Sequence, residues 1–305
     1  MLSSSDEAFL DTNAYSIDHD YFYLPRLLGE PFLNDGILSF FDGSSVHIMG
    51  TLIPWLPVNA HDKIASVVER WMRDKRVEFI NYFGPIRPNW ALSQNFVIEY
   101  FKECLDYSVE LFVDLSIMPS LKVARRQRQD LARAHRRKIE VRKTKLVFFS
   151  HSHITLLRNN LQRSDYGISD ASYVLNLSSV LSHPSTMVFE AMIGDRLVGI
   201  GVTHEYFRGR PFFLAAAFDR GEPGCSDAIY RAIIGYYKEA GANTLSLGYT
   251  SSPENMHYKT KWGGAPRVPP CFQLILRDRD CHTPFRESLH WPWRILVDTW
   301  YASEL

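Results

Sequence analysis

The chain has 305 residues, 46% of them hydrophobic, and its 34 lysines and arginines are matched by 34 aspartates and glutamates. That suffices for one large core or two ordinary ones, and it excludes a disordered chain or one carrying a global field for nucleic acid or an anionic membrane. Apolar runs such as Leu111 to Val113 and Pro211 to Phe218 fall far short of the ~20 residues that cross a bilayer, and the start, Met1 to Asp6, is acidic and polar rather than basic. A soluble, cytoplasmic protein with no membrane span is therefore expected. Cys104, Cys225, Cys271 and Cys281 show no C-x-x-C spacing, so neither a metal site nor a disulfide framework is expected.

Along the chain, Ser45 to Ile53 reads as extended, Asp62 to Lys75 as an amphipathic helix with Ile64, Val67, Val68 and Trp71 on one side, and Val77 to Phe83 as extended again. After the Gly84-Pro85 break, a mixed segment from Ser93 to Tyr107 leads to Val109 to Ser116, whose β-branched and aromatic content predicts a buried strand. Ser120 can cap a helix from Leu121 to about Lys138, rich in good helix formers. An extended segment from Ile139 to Phe149 and helices around His153 to Arg163 and Asp170 to Leu181 follow.

A new pattern begins after His183-Pro184-Ser185. Met187 to Ile193, Leu197 to Tyr206 and Pro211 to Phe218, joined by short turns at Gly194-Asp195 and Arg208-Gly209-Arg210, predict an antiparallel meander. Ser226 or Asp227 can cap the next helix, with Ile229, Tyr230, Ile233, Ile234 and Tyr237 at helical spacing and a stop at Gly241. Then come a short strand, Thr244 to Gly248, a short helix around Glu254 to Lys261, a last strand, Cys271 to Arg277, and a closing helix carrying Trp291, Trp293 and Trp300.

The basic residues are not evenly spread. Eleven of the 34 (Lys122, Arg125, Arg126, Arg128, Arg133, Arg136, Arg137, Lys138, Arg142, Lys143 and Lys145) crowd one short stretch with only Asp130 and Glu140 among them. Arg125, Arg126, Arg128, Arg133, Arg136 and Arg137 spread around most of a helix and can contact a polyanion's phosphates. His151-Ser152-His153 could present two imidazoles to one metal only in an extended chain, and it reads as the start of a helix instead.

Three segments together resemble a known family. Val188 to Phe207, "VFEAMIGDRLVGIGVTHEYF", is similar to the paired strands of GNAT acyltransferases. Ser226 to Gly264, ending "SSPENMHYKTKWGG", resembles the end of the Fem-like branch, in which a lysine precedes an aromatic-glycine pair. Glu110 to Thr144 looks like the Fem-like strand, acidic residue and basic helix that link two GNAT-type lobes. The resemblance implies an α/β (α+β) fold of two lobes, each a mostly antiparallel mixed sheet flanked by helices, divided as 1–145 and 146–305, with the donor site in the second.

It also implies transfer of an activated acyl or aminoacyl group to an amine. Such chemistry needs a splayed strand edge for the donor, a stabiliser for the developing oxyanion and a base. Ala215, Ala216, Ala217 and Phe218 would let a donor approach the third strand, and Lys259, aligned with the family lysine, and Lys261 would meet negative charge. His204 and Glu205, at the end of the second strand, are the candidate bases, only one of them facing the cleft. Gly224 and Cys225 stand where coenzyme A-dependent relatives place a phosphate-binding loop. The loop "DRGEPGC" from Asp219 to Cys225, however, departs from the family spacing and carries Glu222, which would repel phosphate. No cofactor is expected to be permanently bound. The co-substrate is expected to be aminoacyl-tRNA, with acyl-CoA as the alternative, and the acceptor an amine on a small molecule or precursor. A non-catalytic RNA-binding or adaptor protein of the same fold is the competing class.

Overall fold

In the computed structural model, which describes residues 2–13, 28–50, 59–87, 95–103, 110–116, 125–162, 177–207, 210–250, 253–266 and 272–282, two compact units form and are described separately. The first contains α1 (Ser4–Asn13) and a six-stranded sheet of order β1-β2-β3-β4-β13-β5. Its strands are β1 (Glu30–Asn34), β2 (Ile37–Phe41), β3 (Ser45–Met49), β4 (Phe79–Gly84), β5 (Phe96–Glu103) and β13 (Phe272–Asp278). Only β3 and β4 pair in parallel, because α2 (Ala60–Met72) carries the chain back between them. The spacing of Ile64, Val67, Val68 and Trp71 puts all four on the face that α2 buries against Val46, Ile48, Ile80, Leu274 and Leu276. Burying each such side chain contributes about 1.5–3 kcal/mol.

The second unit is a seven-stranded sheet of order β12-β6-β11-β10-β9-β8-β7. It comprises β6 (Glu110–Asp114), α3 (Arg125–Arg136), β7 (Ile139–Thr144), α4 (His151–Gln162), β8 (Thr186–Ile193), β9 (Arg196–Phe207), β10 (Arg210–Phe218), α5 (Cys225–Glu239), β11 (Thr244–Tyr249), α6 (Pro253–Lys261) and β12 (Gly264–Pro266). The meander is present: β8, β9 and β10 pair antiparallel, and Gly194, at φ +56°, makes the turn between the first two. Strand β11 then joins β10 in parallel after the α5 crossover. Two mixed sheets with helices packed on them are the expected α/β class.

Strand pairing fixes where the units divide. The sequence reading splits the chain once, at residue 145. The compact units instead part after Glu110, and the chain passes between them again around Tyr249 and Pro266, because β7 hydrogen-bonds to β8 and β13 to β4 and β5. Helix α5 begins earlier than the side-chain caps suggest: its N-cap is Gly224, in the left-handed region at φ +89°, rather than Ser226 or Asp227. The proposed Ser120 cap, the start of the helix from Asp170 and the tryptophan-rich tail lie outside the described residues.

Glycines let α5 lie directly on β9. A Cβ on Gly199 would stand 2.5 Å from Cys225 Sγ, and one on Gly201 would stand 2.7 Å from Ile229 Cγ2. The turn into β3 depends instead on Asp42, whose Oδ1 accepts the N–H groups of Ser44 (3.0 Å) and Ser45 (2.7 Å). Burial would raise this carboxyl, but hydrogen bonds from His47, Ser44 and Ser45 outweigh it and hold the group at about 2, below its ordinary 3.8. A depressed carboxyl contributes stability above its unfolded value and loses it as pH falls through the folded one. Replacing Asp42 with Asn is therefore expected to lower the urea midpoint at neutral pH and to flatten its decline between about pH 4 and pH 2; parallel acid limbs for both proteins would contradict this.

Candidate functional site

Strands β10 and β11 are hydrogen-bonded at one register pair, Phe212 with Ser246, although β10 runs on to Phe218 and β11 to Tyr249. Beyond that pair, Gly248 turns into the left-handed region at φ +71°, its N–H donating to Ser246 Oγ at 3.1 Å. Its carbonyl accepts the Lys259 ammonium at 3.3 Å. A side chain at 248 would be strained by this φ rather than crowded, since a Cβ there would make ordinary contacts with the Phe213 carbonyl oxygen at 3.6 Å and Lys259 Nζ at 3.9 Å. Lys259 is 7% exposed, so its charge acts where water screens it little.

The aromatic-glycine end of α6 has a mechanical role in placing that lysine. Trp262 is buried and stacks on Tyr230 of α5 at 6.1 Å between centroids, and Tyr230 meets Tyr258 edge-on at 5.1 Å. Gly264 packs so closely that a Cβ would stand 2.9 Å from the Lys259 carbonyl oxygen. The motif legible in the sequence thus anchors the helix that carries Lys259.

Strand register assigns the alanines. Among the β9–β10 pairs, Phe213 opposes Thr203 and Ala215 opposes Val202, so Leu214 is an inserted residue and the strand bulges. Ala215 and Ala217 are buried opposite Val202 and Ile200, which identifies them as packing residues, while Ala216 and Phe218 are half-buried opposite Gly201 and Gly199. The bulge, rather than the run of alanines, is what reshapes β10 beside Lys259. Nothing in the local composition signals it.

His204 and Glu205 point to opposite faces. His204 is fully buried, with Nδ1 2.9 Å from Thr186 Oγ1 and its ring edge-on to His183 at 4.9 Å. The Thr186 hydroxyl donates to the Val180 carbonyl at 2.6 Å, so Nδ1 must supply the proton of its own contact with Thr186. Glu205 is half-buried, and its N–H donates to the Ser185 carbonyl at 3.1 Å.

The loop before α5 is occupied by its own acids. Asp219 Oδ1 accepts the Gly221 N–H at 2.9 Å, the Asp219 carbonyl takes the Glu222 N–H at 3.1 Å, and the Glu222 carbonyl takes that of Cys225 at 3.2 Å. Arg196 bridges both carboxylates, reaching Asp219 at 3.1 Å and pairing with Glu222, which Arg137 also approaches at 3.6 Å. Gly224 serves close packing, because a Cβ there would lie 2.5 Å from the Asp130 carbonyl oxygen of α3. Cys225 is buried with Sγ 3.3 Å from the Val198 carbonyl, and burial, followed by the charges of Asp219 and Glu222, pushes its thiol up to about 12.

The arginines of α3 divide into paired and unpaired sets. Arg133 reaches Asp130 at 3.0 Å, and Arg137 approaches Glu222. Arg128 and Arg136 are exposed with no ion-pair partner among the described residues. Arg125 and Arg126 open the helix. Lys261 faces inward, its ammonium 2.8 Å from Asp130 of α3 and 2.6 Å from Asp227 of α5. Burial outweighs the attraction of Lys261 and pushes the Asp227 carboxyl above its ordinary value. A cavity of about 300 Å³ adjoins this triad, lined by Gln129, Asp130, Arg133, Asp227, His257, Tyr258 and Lys261. Removing one partner of such a group leaves a buried charge uncompensated, so Lys261→Met is expected to cost about 3–5 kcal/mol in chemical denaturation; a loss below about 1 kcal/mol, the range of an exposed pair, would contradict the clamp.

No protein-family model matches the chain, and no curated protein matches its sequence. Among solved structures it is similar to FemX, at 12% identity over 90% of this chain and 96% of that one, with a TM-score of 0.57. It is also similar to L-PGS from Bacillus licheniformis, at 14% identity over 96% and 95% of the two chains and a TM-score of 0.52. A conserved protein of unknown function from Bacteroides thetaiotaomicron aligns at 11% identity over 91% and 98%, with a TM-score of 0.56. Among the described residues no helix is long and apolar enough to cross a membrane. The likeness is one of fold: two mixed sheets flanked by helices, an arrangement shared with FemX and L-PGS.

Proposed function

We propose that the protein is an N-acyltransferase that forms an amide bond by moving an aminoacyl group from aminoacyl-tRNA to an amine on a small molecule or precursor. The observation that carries this reading is the buried Lys259 ammonium, set against Gly248 where the pairing of β10 and β11 ends. A donor laid along that edge would bring its ester carbonyl towards a cation in a poorly screened site, where charge developing on oxygen is stabilised most. The acceptor nitrogen attacks the carbonyl carbon, the C–N bond forms, the C–O bond to the ribose breaks, and the proton that the nitrogen loses is returned through solvent to the ribose oxygen, which leaves as a hydroxyl. FemX and L-PGS share the fold, which agrees with a transferase.

Two features favour a tRNA donor over a coenzyme A thioester. The loop before α5 commits the N–H groups of Gly221, Glu222 and Cys225 to its own oxygens, and its only described arginine contacts, from Arg196 and Arg137, are spent on Asp219 and Glu222. Helix α3 meanwhile presents Arg128 and Arg136 to solvent, where they can meet a phosphate backbone.

The test is transfer of a labelled amino acid from charged tRNA to an amine acceptor. Lys259→Met is expected to lower the rate by about 10²–10³ without abolishing tRNA binding. Arg128→Ala with Arg136→Ala is expected to weaken binding and to reduce the salt slope by about 0.7–0.9 per lost contact, whereas Arg133→Ala, already neutralised, changes it less. Transfer supported by acyl-CoA alone would overturn the donor, and RNA binding with no transfer would favour the non-catalytic class.

A further inference from the structure

A second constellation lies where α4 meets β8, and the chemistry at Lys259 does not use it. Ser150 is the residue before α4, its carbonyl accepting the Ile154 N–H at 3.1 Å. Its hydroxyl stands 2.6 Å from His153 Nδ1. The other ring nitrogen, Nε2, is 2.7 Å from Glu190 Oε1, and Glu190 Oε2 accepts Arg142 Nε at 2.6 Å. His153 and Glu190 are buried, at 6% and 4% exposure, while Ser150 is exposed.

The protons of this group follow from its geometry. The Ser150 backbone N–H also points at His153 Nδ1, at 3.2 Å, and an N–H can only donate. Nδ1 therefore carries the lone pair, Nε2 carries the proton, and that proton goes to Glu190. Arg142 Nε donates to the other oxygen of Glu190, so both carboxylate oxygens act as acceptors. The Ser150 hydroxyl faces a nitrogen with nothing to donate, so it donates its own proton. An ordinary capping serine accepts an N–H from the first turn of its helix; this one is turned to an imidazole instead. A hydroxyl on a histidine held by a buried carboxylate is the arrangement that makes serine a nucleophile, recognised by roles rather than by which ring nitrogen faces which partner.

We infer that Ser150 is the nucleophile of a separate acyl-transfer site that accepts activated carboxylic esters. The hydroxyl oxygen attacks the ester carbonyl and its proton moves to His153 Nδ1. The C–O bond to the alcohol breaks, and the alcohol leaves with that proton, so Ser150 holds the acyl group as an ester. Water then adds at the same carbon, gives its proton through His153 to Ser150 Oγ, and the carboxylic acid departs. Glu190 acts through the histidine as a positioning residue. Val147 and Phe148, 77% and 74% exposed, precede the serine and supply apolar surface for the acyl group.

The full-length protein can be treated with a fluorophosphonate and, separately, with p-nitrophenyl acetate. A phosphonyl adduct mapped to Ser150 and a burst of p-nitrophenolate are expected, both absent in Ser150→Ala and both kept in Ser152→Ala. His153→Gln is expected to slow the adduct about 100-fold, the contribution of a positioned base. Lys259→Met should leave both signals intact, which separates this site from the transferase reading. No adduct at Ser150, or an equal rate in folded His153→Gln, would overturn the inference. Should His153→Gln fail to fold, the Ser150→Ala comparison alone decides.

Discussion

One lysine ties together the helices around which the second unit's chemistry is arranged. Lys261, at the end of α6, shares its ammonium between Asp130 of α3 and Asp227 of α5, and its carbonyl accepts Gln127 Nε2. Arg133 meets Asp130 from the other side, so the two carboxylates face two cations, and it is burial that pushes the Asp227 carboxyl up. Such a group is weak evidence for net stability, since apolar residues can pack as well. What it supplies is position. Helix α3 is drawn onto the start of α5 so closely that only glycine fits at 224, and the end of α5 that would otherwise face an anion is closed.

Closing that end has consequences for every charged group nearby. Because α3 turns Gln127 and Ala134 inward, its arginines are forced outward and to the flanks. Arg137 and Arg196 meet Glu222, and Arg196 also meets Asp219, so the loop is a neutralised surface turn rather than a phosphate cradle. On the other edge of α5, Gly199 and Gly201 remove the side chains that would hold the helix off β9. The helix is thereby fixed from both sides, and Tyr230, stacked against Trp262, carries that rigidity to α6 and Lys259.

The parts legible in the sequence are those governed by periodicity. The meander, the apolar face of α2 and the spacing of Ile229, Ile233 and Tyr237 all follow from local pattern, and so does the lysine before Trp262-Gly263-Gly264. What was hidden depends on partners far away in the chain. Gly224 reads as part of a donor-binding loop, while its place as the N-cap of α5 against the Asp130 carbonyl shows only in the fold. Three alanines read as a donor edge, but a bulge at Leu214 turns two of them into core. Strand β13 pairs with β4 and β5 across most of the chain's length, and no local signal could announce that. His151-Ser152-His153 reads correctly as a helix start, yet the informative partners, Ser150 and Glu190, are one residue outside it and a strand away.

The basic stretch is less cationic in the fold than in composition. Arg133, Arg137 and Arg142 are each matched by a carboxylate, and Lys143 lies 4.2 Å above the Tyr236 ring, while Lys145 donates to the Pro184 carbonyl at 2.8 Å. A charge already paired releases fewer counterions when a phosphate arrives, because its neighbour must be displaced or left in place to repel. Composition counts all these cations equally; the structure does not. Among the described side chains of the stretch, the exposed cations without a carboxylate partner are Arg128 and Arg136, with Lys138 following the helix at φ +55°. Within the stretch that neutralisation is done by Asp130, Glu222 and Glu190, which face Arg133, Arg137 and Arg142.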